Sequence, residues 1–428
     1  MTQLAERHDS LAAGFEALKR EPAFGHQGLA ETRTQAFDRF LSRGFPTTRD
    51  EEWRFTNIAP IAALPLAPAA ARTIDADVTA RLQPAGPVGV SLVVVNGRLV
   101  DTPALPAGVT IRTLDTATSS DLRPMRPAGG TIFPELNTAF FQDLVVIEIA
   151  PKAIVIDPIQ VLFVTVADGD APLVSPRLVI RAGEASQATI FETYADASPD
   201  AVAFVNAVVD VDVAPGAIVD HVKLQRQNPV SFHLGGTFVR VARAGTFTSH
   251  AVTVGGRIGR NDIVSVLDGE GATCTLNGLY VGTGDALIDT HTTIDHAKPH
   301  CPSHEIYKGI LAGRARAVFN GKILVRLDAQ KTDAKQTNKA LLLTDEAQIN
   351  TKPQLEIFAD DVKCTHGAAI GQLDEDALFY LKARGIGALD ARNMLLHAFA
   401  DDVLTGIRLE TVRTTTMALV EQMLGLPA

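Results

Sequence analysis

The sequence predicts a mainly β protein, with a β-solenoid core flanked by N-terminal and C-terminal α-helical regions. Three observations predict this fold. From about Val88, short segments rich in β-branched residues recur for about 280 residues, and Gly, Pro, Asn or Asp bounds each one, as is typical of strands. No long amphipathic helix interrupts them, which disfavours alternating βα units. Weak internal echoes favour a solenoid, although a large sandwich or a barrel stays open on pattern alone.

The N-terminal region, residues 1–72, is predicted to hold two helices and a connector. Apolar residues recur there at spacings of three and four, in the sets Leu11, Phe15, Leu18 and Phe37, Phe40, Leu41. Gly44 ends the second helix because glycine readily adopts the left-handed cap conformation. A charged run precedes the only tryptophan, Trp53, and the Ala- and Pro-rich residues 58–72 are predicted to form the connector.

The β core is predicted to span residues 73–372. The segments that echo one another are residues 273–278, 315–321 and 347–353. Their spacings are about 43 and about 32 residues, so they form no strict repeat. In a solenoid each coil buries alternate residues against the next coil. We therefore expect Val239 and Val241 to point inward and Arg240 to face outward.

The C-terminal region, residues 373–428, is predicted to be helical again. An acidic start, Asp374–Asp376, suits the positive end of a helix dipole, and Gly385 and Gly387 end this first helix. A second helix carries the apolar stripe Ala391, Leu395, Phe399, Val403, and a third is expected within residues 407–424. The first two form an αα-hairpin, which either caps the end of the solenoid or docks a partner.

Bulk composition excludes several classes of protein. The chain has 428 residues and a formal net charge of −10, so nothing draws the whole molecule to nucleic acid or to anionic lipid. Three cysteines are too few for a disulfide framework and suit a reducing compartment. No stretch approaches the roughly 20 apolar residues that span a bilayer, and the N-terminus lacks the apolar core of a signal peptide. We expect a cytoplasmic protein.

Four histidines and a cysteine lie within fourteen residues, at His291, His296, His300, Cys301 and His304. Imidazole and thiolate bind zinc and iron, so this cluster is a candidate metal site. Its spacing matches no closed zinc motif, however, and neighbouring side chains on a strand alternate between faces. The alternative is a set of turn and interface residues that hydrogen-bond to the backbone, and the sequence does not decide between the two.

A second candidate site is Cys364-Thr365-His366-Gly367. Residues at positions i and i+2 of a strand point the same way, so Cys364 and His366 can share one ligand. Both side chains suit iron or persulfide chemistry. Two ligands do not complete a metal site, and the others would have to come from another strand or another chain. A buried cysteine beside a hydrogen-bonded histidine is the alternative.

The common enzyme signatures are missing from the sequence. It contains no phosphate loop of the G-x-x-x-x-G-K-[ST] type, no G-x-S-x-G elbow and no H-E-x-x-H motif. We therefore do not expect an enzyme. A β-helical carbohydrate-active enzyme is the remaining enzymatic alternative, and it would need paired carboxylates, for which Asp285, Asp289 and Asp295 are loose candidates.

Long stretches of the chain resemble the SufB/SufD family, and within it SufD. They are YKGILAGRARAVFNGKILV from Tyr307, the segment from Asp328 to Ile386, and ALDARNMLLHAFADDVL from Ala388. HTTIDHAKPHCPSHEIYKG and EEWRFTNI are similar to the same family. The resemblance implies a parallel β-helix with flanking helical regions. It also implies a scaffold that pairs with a SufB-like paralogue and binds a SufC-like ATPase.

The resemblance also assigns roles to residues. His366 of the Cys-x-His-Gly motif is expected to ligate iron or a nascent iron–sulfur cluster at the interface with SufB, with Cys364 as a weaker second. The hairpin is expected to dock SufC, and the residues expected on that surface are Leu378, Tyr380, Arg384, Gly385, Arg392, Leu395 and Phe399. ATP would act only through SufC. A flavin is possible in the complex, and a homodimer is possible for the isolated chain.

The paralogue SufB is disfavoured by two motifs. The resemblance implies that SufB-like chains carry a cysteine in the region where this chain has Gln336-Thr337-Asn338-Lys339, and a Glu-His-Glu motif where this chain has Cys364-Thr365-His366-Gly367. Asn338 cannot accept sulfur as a persulfide. The alternative to a ligand role is a purely structural partner of SufB and SufC. The type of cluster and the electron donor are not indicated by the sequence.

Overall fold

Alternating inward and outward residues build two mainly parallel β-sheets that lie face to face, and each sheet contains one antiparallel pair at its N-terminal end. The computed structural model describes residues 2–83, 89–118, 121, 131–169 and 171–425. The first strands are β1 (Ala67–Pro68), β2 (Val90–Val95), β3 (Arg98–Asp101), β4 (Val109–Arg112), β5 (Val145–Ile149), β6 (Ile159–Thr165), β7 (Pro172–Val174), β8 (Arg177–Ala182), β9 (Gln187–Asp196), β10 (Phe204–Val213) and β11 (Ile218–Gln225). The later strands are β12 (Phe232–Val241), β13 (Thr246–Val254), β14 (Ile258–Leu267), β15 (Thr273–Gly282), β16 (Leu287–His296), β17 (Pro302–Leu311), β18 (Arg316–Val325), β19 (Asp333–Leu342), β20 (Gln348–Ile357) and β21 (Lys363–Gly371).

The two sheets are built from alternate strands of the chain. Sheet A runs β20-β18-β16-β14-β12-β10-β8-β5-β4, with β1 and β7 beside it, and sheet B runs β21-β19-β17-β15-β13-β11-β9-β6-β2-β3. From β8 to β21 each strand pairs in parallel and in register with the strand one coil away. About eight turns result. The predicted solenoid flanked by helices is confirmed, and the parallel pairing expected of a β-helix is present.

The solenoid interior is filled by one face of each strand. Val239 and Val241 are fully buried there, and Arg240 faces outward and pairs with Asp212, as predicted. The echo between residues 315–321 and 347–353 is one true coil, because β18 and β20 pair in register. The sequence similarity at a spacing of about 43 residues instead relates β15, which belongs to sheet B, to β18, which belongs to sheet A. It reflects a similar strand on the opposite sheet, not a whole turn.

Eight α-helices flank or interrupt the strands in the described residues. They are α1 (Thr2–Leu18), α2 (Leu29–Arg43), α3 (Ala59–Ala62), α4 (Ala76–Leu82), α5 (Phe133–Phe140), α6 (Glu375–Ala383), α7 (Ala388–Leu404) and α8 (Glu410–Leu424). The helix α2 ends at Gly44 as predicted, but Gly44 has a φ of 68° and a ψ of −173°, which is not the left-handed cap conformation. Two short helices, α4 and α5, lie within residues 73–372 and were not predicted. Leu41, predicted on the apolar face of α2, is 37% exposed.

The helical regions cover opposite faces of the solenoid. Helices α1, α2 and α5 bury an aromatic cluster that includes Phe15, Phe37 and Phe140 against outward residues of sheet A such as Phe204. Helices α7 and α8 bury Leu396 and their other apolar residues against outward residues of sheet B. Each face thereby removes its apolar surface from water, which is the main source of stability in such packing. Within the described residues, no helix is long and apolar enough to cross a membrane.

Candidate functional site

The final strand, β21, is an edge strand, and among the strands that the structure describes it pairs only with β19. Eight of its nine residues are exposed and Cys364 is half-buried. Cys364 lies in register with Ala334, and His366 with Gln336. Ala334 and Gln336 are buried on the inward face of β19, so Cys364 and His366 continue the same inward row onto the last coil. Both candidate ligands therefore lie at the open end of the solenoid.

The thiol of Cys364 differs from the two other cysteines in its access to solvent. All three cysteines are free, but Cys274 and Cys301 are buried. Burial raises the pKa of Cys274 to about 12, so it carries almost no thiolate at neutral pH. Burial also raises the pKa of Cys364, though this side chain is partly exposed beside the apolar cluster that includes Ile323 and Val325. Among the three, Cys364 is the cysteine that an external ligand can reach.

His366 and Cys364 do not form a complete metal site in this chain. Among the residues that the structure describes, no group of three or more His, Cys, Asp or Glu side chains is arranged to hold a metal ion. The exposed edge at β21 nevertheless leaves both side chains open to a second molecule. This arrangement can supply one or two ligands to a site that another chain completes.

The histidine-rich segment from His291 to His304 does not converge on one point. His296 is buried inside the solenoid, where its Nε2 lies 3.0 Å from Ser303 Oγ, and His304 is exposed on the outward face of β17. His300 lies in the turn between them with a φ of 58°. The Sγ of Cys301 donates to the carbonyl of Gly269 at 3.3 Å. These contacts are of the kind expected if the segment is a set of turn and interface residues, which was the alternative to a metal site.

His291 belongs to a different site, a cleft of about 520 Å³ between sheet A and the segment around Trp53. Its Nδ1 lies 3.2 Å from Glu52 Oε2, and its Nε2 lies 2.9 Å from Asp289 Oδ1. Despite desolvation, these two carboxylates raise the pKa of His291. The guanidinium of Arg260 lies 3.9 Å from the Trp53 ring centroid and pairs with Asp289 at 2.8 Å. The EEWRFTNI segment is thus docked onto the solenoid by buried charges.

A buried polar row leads from the solenoid interior to His366. Glu305 of β17, Gln336 of β19 and His366 of β21 are in register. Gln336 Nε2 donates to Glu305 Oε2 at 2.8 Å, and Thr292 Oγ1 donates to Glu305 Oε1 at 2.5 Å. Burial raises the pKa of the Glu305 carboxyl to about 7. Sequence reasoning missed this row, since its members lie about 30 residues apart and only the coil length aligns them.

Asn338, in the segment where the resemblance implies a cysteine for SufB-like chains, is held inside the solenoid. Tyr280 Oη donates to its Oδ1 at 2.9 Å, and its Nδ2 donates to Thr351 Oγ1 at 3.2 Å. The side chain is 1% exposed. An amide with both ends hydrogen-bonded has a structural role at this position.

The C-terminal hairpin presents part of the predicted docking surface to solvent. Tyr380 is 57% exposed, and the Arg384 guanidinium donates to its hydroxyl at 3.0 Å. The other predicted positions divide into exposed Gly385 and Arg392, and half-buried Leu378, Leu395 and Phe399. Phe399 faces the solenoid, because the Lys308 Nζ lies 4.4 Å from its ring centroid. The exposed apolar side chains that sequence reasoning left out are Phe379, Leu389 and Met394.

The fold and the site together define a class of protein: a β-solenoid that presents a cysteine and a histidine on an open edge strand. The family model described as SUF system FeS cluster assembly, SufBD core domain, matches residues 163–399. The chain is 32% identical to the iron–sulfur cluster assembly protein SufD of Escherichia coli over 404 residues, which cover 91% of this chain and 92% of that protein.

Two further relatives extend the comparison. An iron–sulfur cluster assembly SufBD family protein of Synechocystis is 32% identical over 90% of this chain and 89% of its own length. The chloroplastic protein ABCI7 of Arabidopsis thaliana is 28% identical over 88% of this chain and 82% of its own length. The chain therefore belongs to the SufBD family of iron–sulfur cluster assembly proteins, and within that family it is of the SufD type. The names of these relatives mention no catalytic activity.

Proposed function

We propose that this chain is a non-catalytic scaffold subunit that pairs with a SufB-like paralogue through its open terminal coil and contributes His366 as an iron ligand at that interface. The observation that carries the proposal is the position of His366, exposed on an edge strand and in the same inward row as half-buried Cys364. An unpaired strand edge can accept a strand from another chain. A SufB strand added there would bring its own side chains beside His366.

The chemistry of the ligands suits a transient cluster. A scaffold must hold iron and sulfide firmly enough to assemble them and weakly enough to release the product. Imidazole titrates near neutral pH, and its use in place of thiolate changes the properties of an iron–sulfur centre. Ligands that are divided between two chains allow release when the chains move apart. Cys364, with its raised pKa, is the weaker of the two ligands here.

The helical hairpin of α6 and α7 is proposed to dock a SufC-like ATPase. Exposed Tyr380, paired with Arg384, forms an aromatic and basic patch of the kind enriched at protein interfaces. ATP hydrolysis would then belong to the partner. A nucleotide-dependent movement of the ATPase could shift the two scaffold chains, provided that ATP binds one arrangement more tightly than the other. A flavin, if the complex uses one, would serve as its electron donor.

The test of the ligand role is His366→Ala in a complex reconstituted with the SufB-like and SufC-like partners. We expect the complex to assemble and its iron content after loading to fall by about tenfold, because one ligand is lost. Thr365→Ala is the matched control, since Thr365 is the exposed neighbour on the opposite face of the same strand. Undiminished iron content and cluster yield in an intact His366→Ala complex would leave a purely structural role.

A further inference from the structure

The amide of Gln336 is held in one orientation inside the solenoid. Its Nε2 donates to Glu305 Oε2 at 2.8 Å, and a carboxylate oxygen can only accept. Gly321, on strand β18 of the opposite sheet, also constrains this amide. A Cβ atom added to Gly321 would lie 2.3 Å from Gln336 Nε2 and 2.7 Å from Gln336 Cδ. The absence of a side chain at Gly321 makes room for the amide, which packs against this backbone.

The other end of the same amide has no partner. Gln336 Oε1 is buried and accepts no hydrogen bond from any residue that the structure describes. An unpaired buried acceptor is unfavourable because it has lost its hydrogen bonds to water, so a donor at this position would stabilise the folded chain. The next side chain in the inward row is His366, on the adjacent strand and in register with Gln336. Neighbouring strands are separated by about 4.8 Å, which lets an amide and an imidazole in register reach one another.

A histidine that binds metal through one ring nitrogen generally donates its other N–H to an oxygen acceptor. That bond fixes the tautomer and the orientation of the ring. We propose that Gln336 is a positioning residue: the exposed His366 side chain, whose N–H does not reach Gln336 Oε1 in this structure, rotates so that Oε1 accepts this N–H, which leaves the second ring nitrogen of His366 unprotonated and directed to iron. This inference rests on the proposed ligand role of His366 and adds to it the group that orients the imidazole.

Glu305 sets which end of the amide faces His366. With a carboxylate at position 305, the Gln336 amide must direct its NH₂ group to Glu305 and its oxygen away from it. In Glu305→Gln, the new side chain keeps its oxygen on Thr292 Oγ1 and directs its own NH₂ group to Gln336. The Gln336 amide then turns over, so that NH₂ faces His366 and stabilises the opposite tautomer. Glu305 thus acts on His366 through Gln336.

The experiment measures the tautomer of His366 by ¹⁵N NMR of the full chain with labelled histidine. Spectra are recorded at pH 8.5, above the pKa of about 7 of Glu305, and the His366→Gln variant assigns the signals. In the wild-type chain we expect a single tautomer of the His366 ring, in which the same ring nitrogen is protonated in every molecule. Gln336→Met should return the ring to a mixture of tautomers, and Glu305→Gln should invert the preference. Gln348→Met, at an exposed position of the same terminal coil, is the control.

A second measurement connects the tautomer to iron. In the reconstituted complex, Gln336→Met should lower the affinity for Fe²⁺ by about 10–100-fold while His366 is still present. Identical tautomer ratios in the wild type, Gln336→Met and Glu305→Gln would overturn the positioning role, whatever the iron data show. If the tautomer ratios shift in Gln336→Met and Glu305→Gln but His366→Ala binds iron as the wild type does, the contact between Gln336 and His366 is upheld and the proposed ligand role of His366 is overturned.

Discussion

At the scale of single residues, the ionisable groups inside the solenoid control how stability depends on pH. Glu305 is 1% exposed, and in the part of the chain that the structure describes its carboxyl has two neutral donors, Thr292 and Gln336, but no cation. Burial therefore raises its pKa from 4.5 to about 7. The folded chain binds this proton more tightly than the unfolded chain, so ionisation of Glu305 opposes folding.

At alkaline pH the Glu305→Gln variant should be more stable than the wild type. Between pH 4.5 and about 7 the folded wild type holds more protons than the unfolded chain, so its free energy of unfolding falls as the pH rises. Above pH 8 the free energy of unfolding of the wild type is lower by a total on the order of 3 kcal/mol. The variant lacks this loss and keeps both hydrogen bonds. Urea unfolding of both proteins from pH 4 to pH 9 measures the difference, and parallel curves would contradict the assigned titration.

The shared face of the two candidate ligands could be predicted from local sequence alone. Cys364 and His366 share one face because the side chains of a strand alternate, and that holds in any strand. The partners of His366 could not be predicted in this way. Gln336 and Glu305 lie in other coils, and they join the row of His366 only because each coil here takes about 30 residues.

At the scale of elements, α6 begins where sequence reasoning placed it, for a local reason. Asp374 accepts hydrogen bonds from the amides of Asp376 and Ala377, which caps the helix. The burial of α7 differs slightly from the prediction. Leu396 and Ala400 are buried, whereas Leu395 and Phe399 are half-buried. The face of α7 that is buried is set by how the helix crosses sheet B, which the helical periodicity does not specify.

Tyr380→Ala should weaken binding of the SufC-like ATPase without unfolding the chain. Tyr380 is largely exposed, so its loss removes interface contacts but little core packing. We expect the dissociation constant to rise by about tenfold or more, as for an aromatic residue at the centre of an interface. Surface plasmon resonance with the ATPase measures it. Phe55→Ala, which removes an exposed aromatic ring in the N-terminal region, should leave ATPase affinity unchanged. Equal affinities for all three proteins would exclude α6 from the interface.

At the scale of the whole molecule, the outer faces of the solenoid and its C-terminal end have different environments. Helices cover the outer faces of both sheets, and the terminal coil at β20 and β21 is left open. Ile370 is 48% exposed and Phe358 is 59% exposed near this end. Apolar side chains beside an unpaired strand favour association with another chain over exposure to water.

Ile370→Lys should prevent association through the open end. A lysine in the inward row of β21 would be buried without a counter-ion when another chain covers that row, and this carries a large desolvation penalty. We expect binding to the SufB-like partner to weaken by at least about tenfold, and any homodimer of the isolated chain to dissociate. Light scattering after size-exclusion chromatography measures both. Ile156→Lys, at a position 87% exposed between β5 and β6, is the control. Association that survives Ile370→Lys would place the interface elsewhere.

The sequence by itself determined a mainly β chain with helical ends and the shared face of Cys364 and His366, because alternation and helix capping act between residues that are close in the chain. Only the tertiary structure decided that His366 lies at an open edge, that the histidines from His291 to His304 diverge, and that Gln336 and Glu305 lead to the candidate site. The reason is physical: the number of residues in each coil sets which side chains stack, and that number follows from packing between coils.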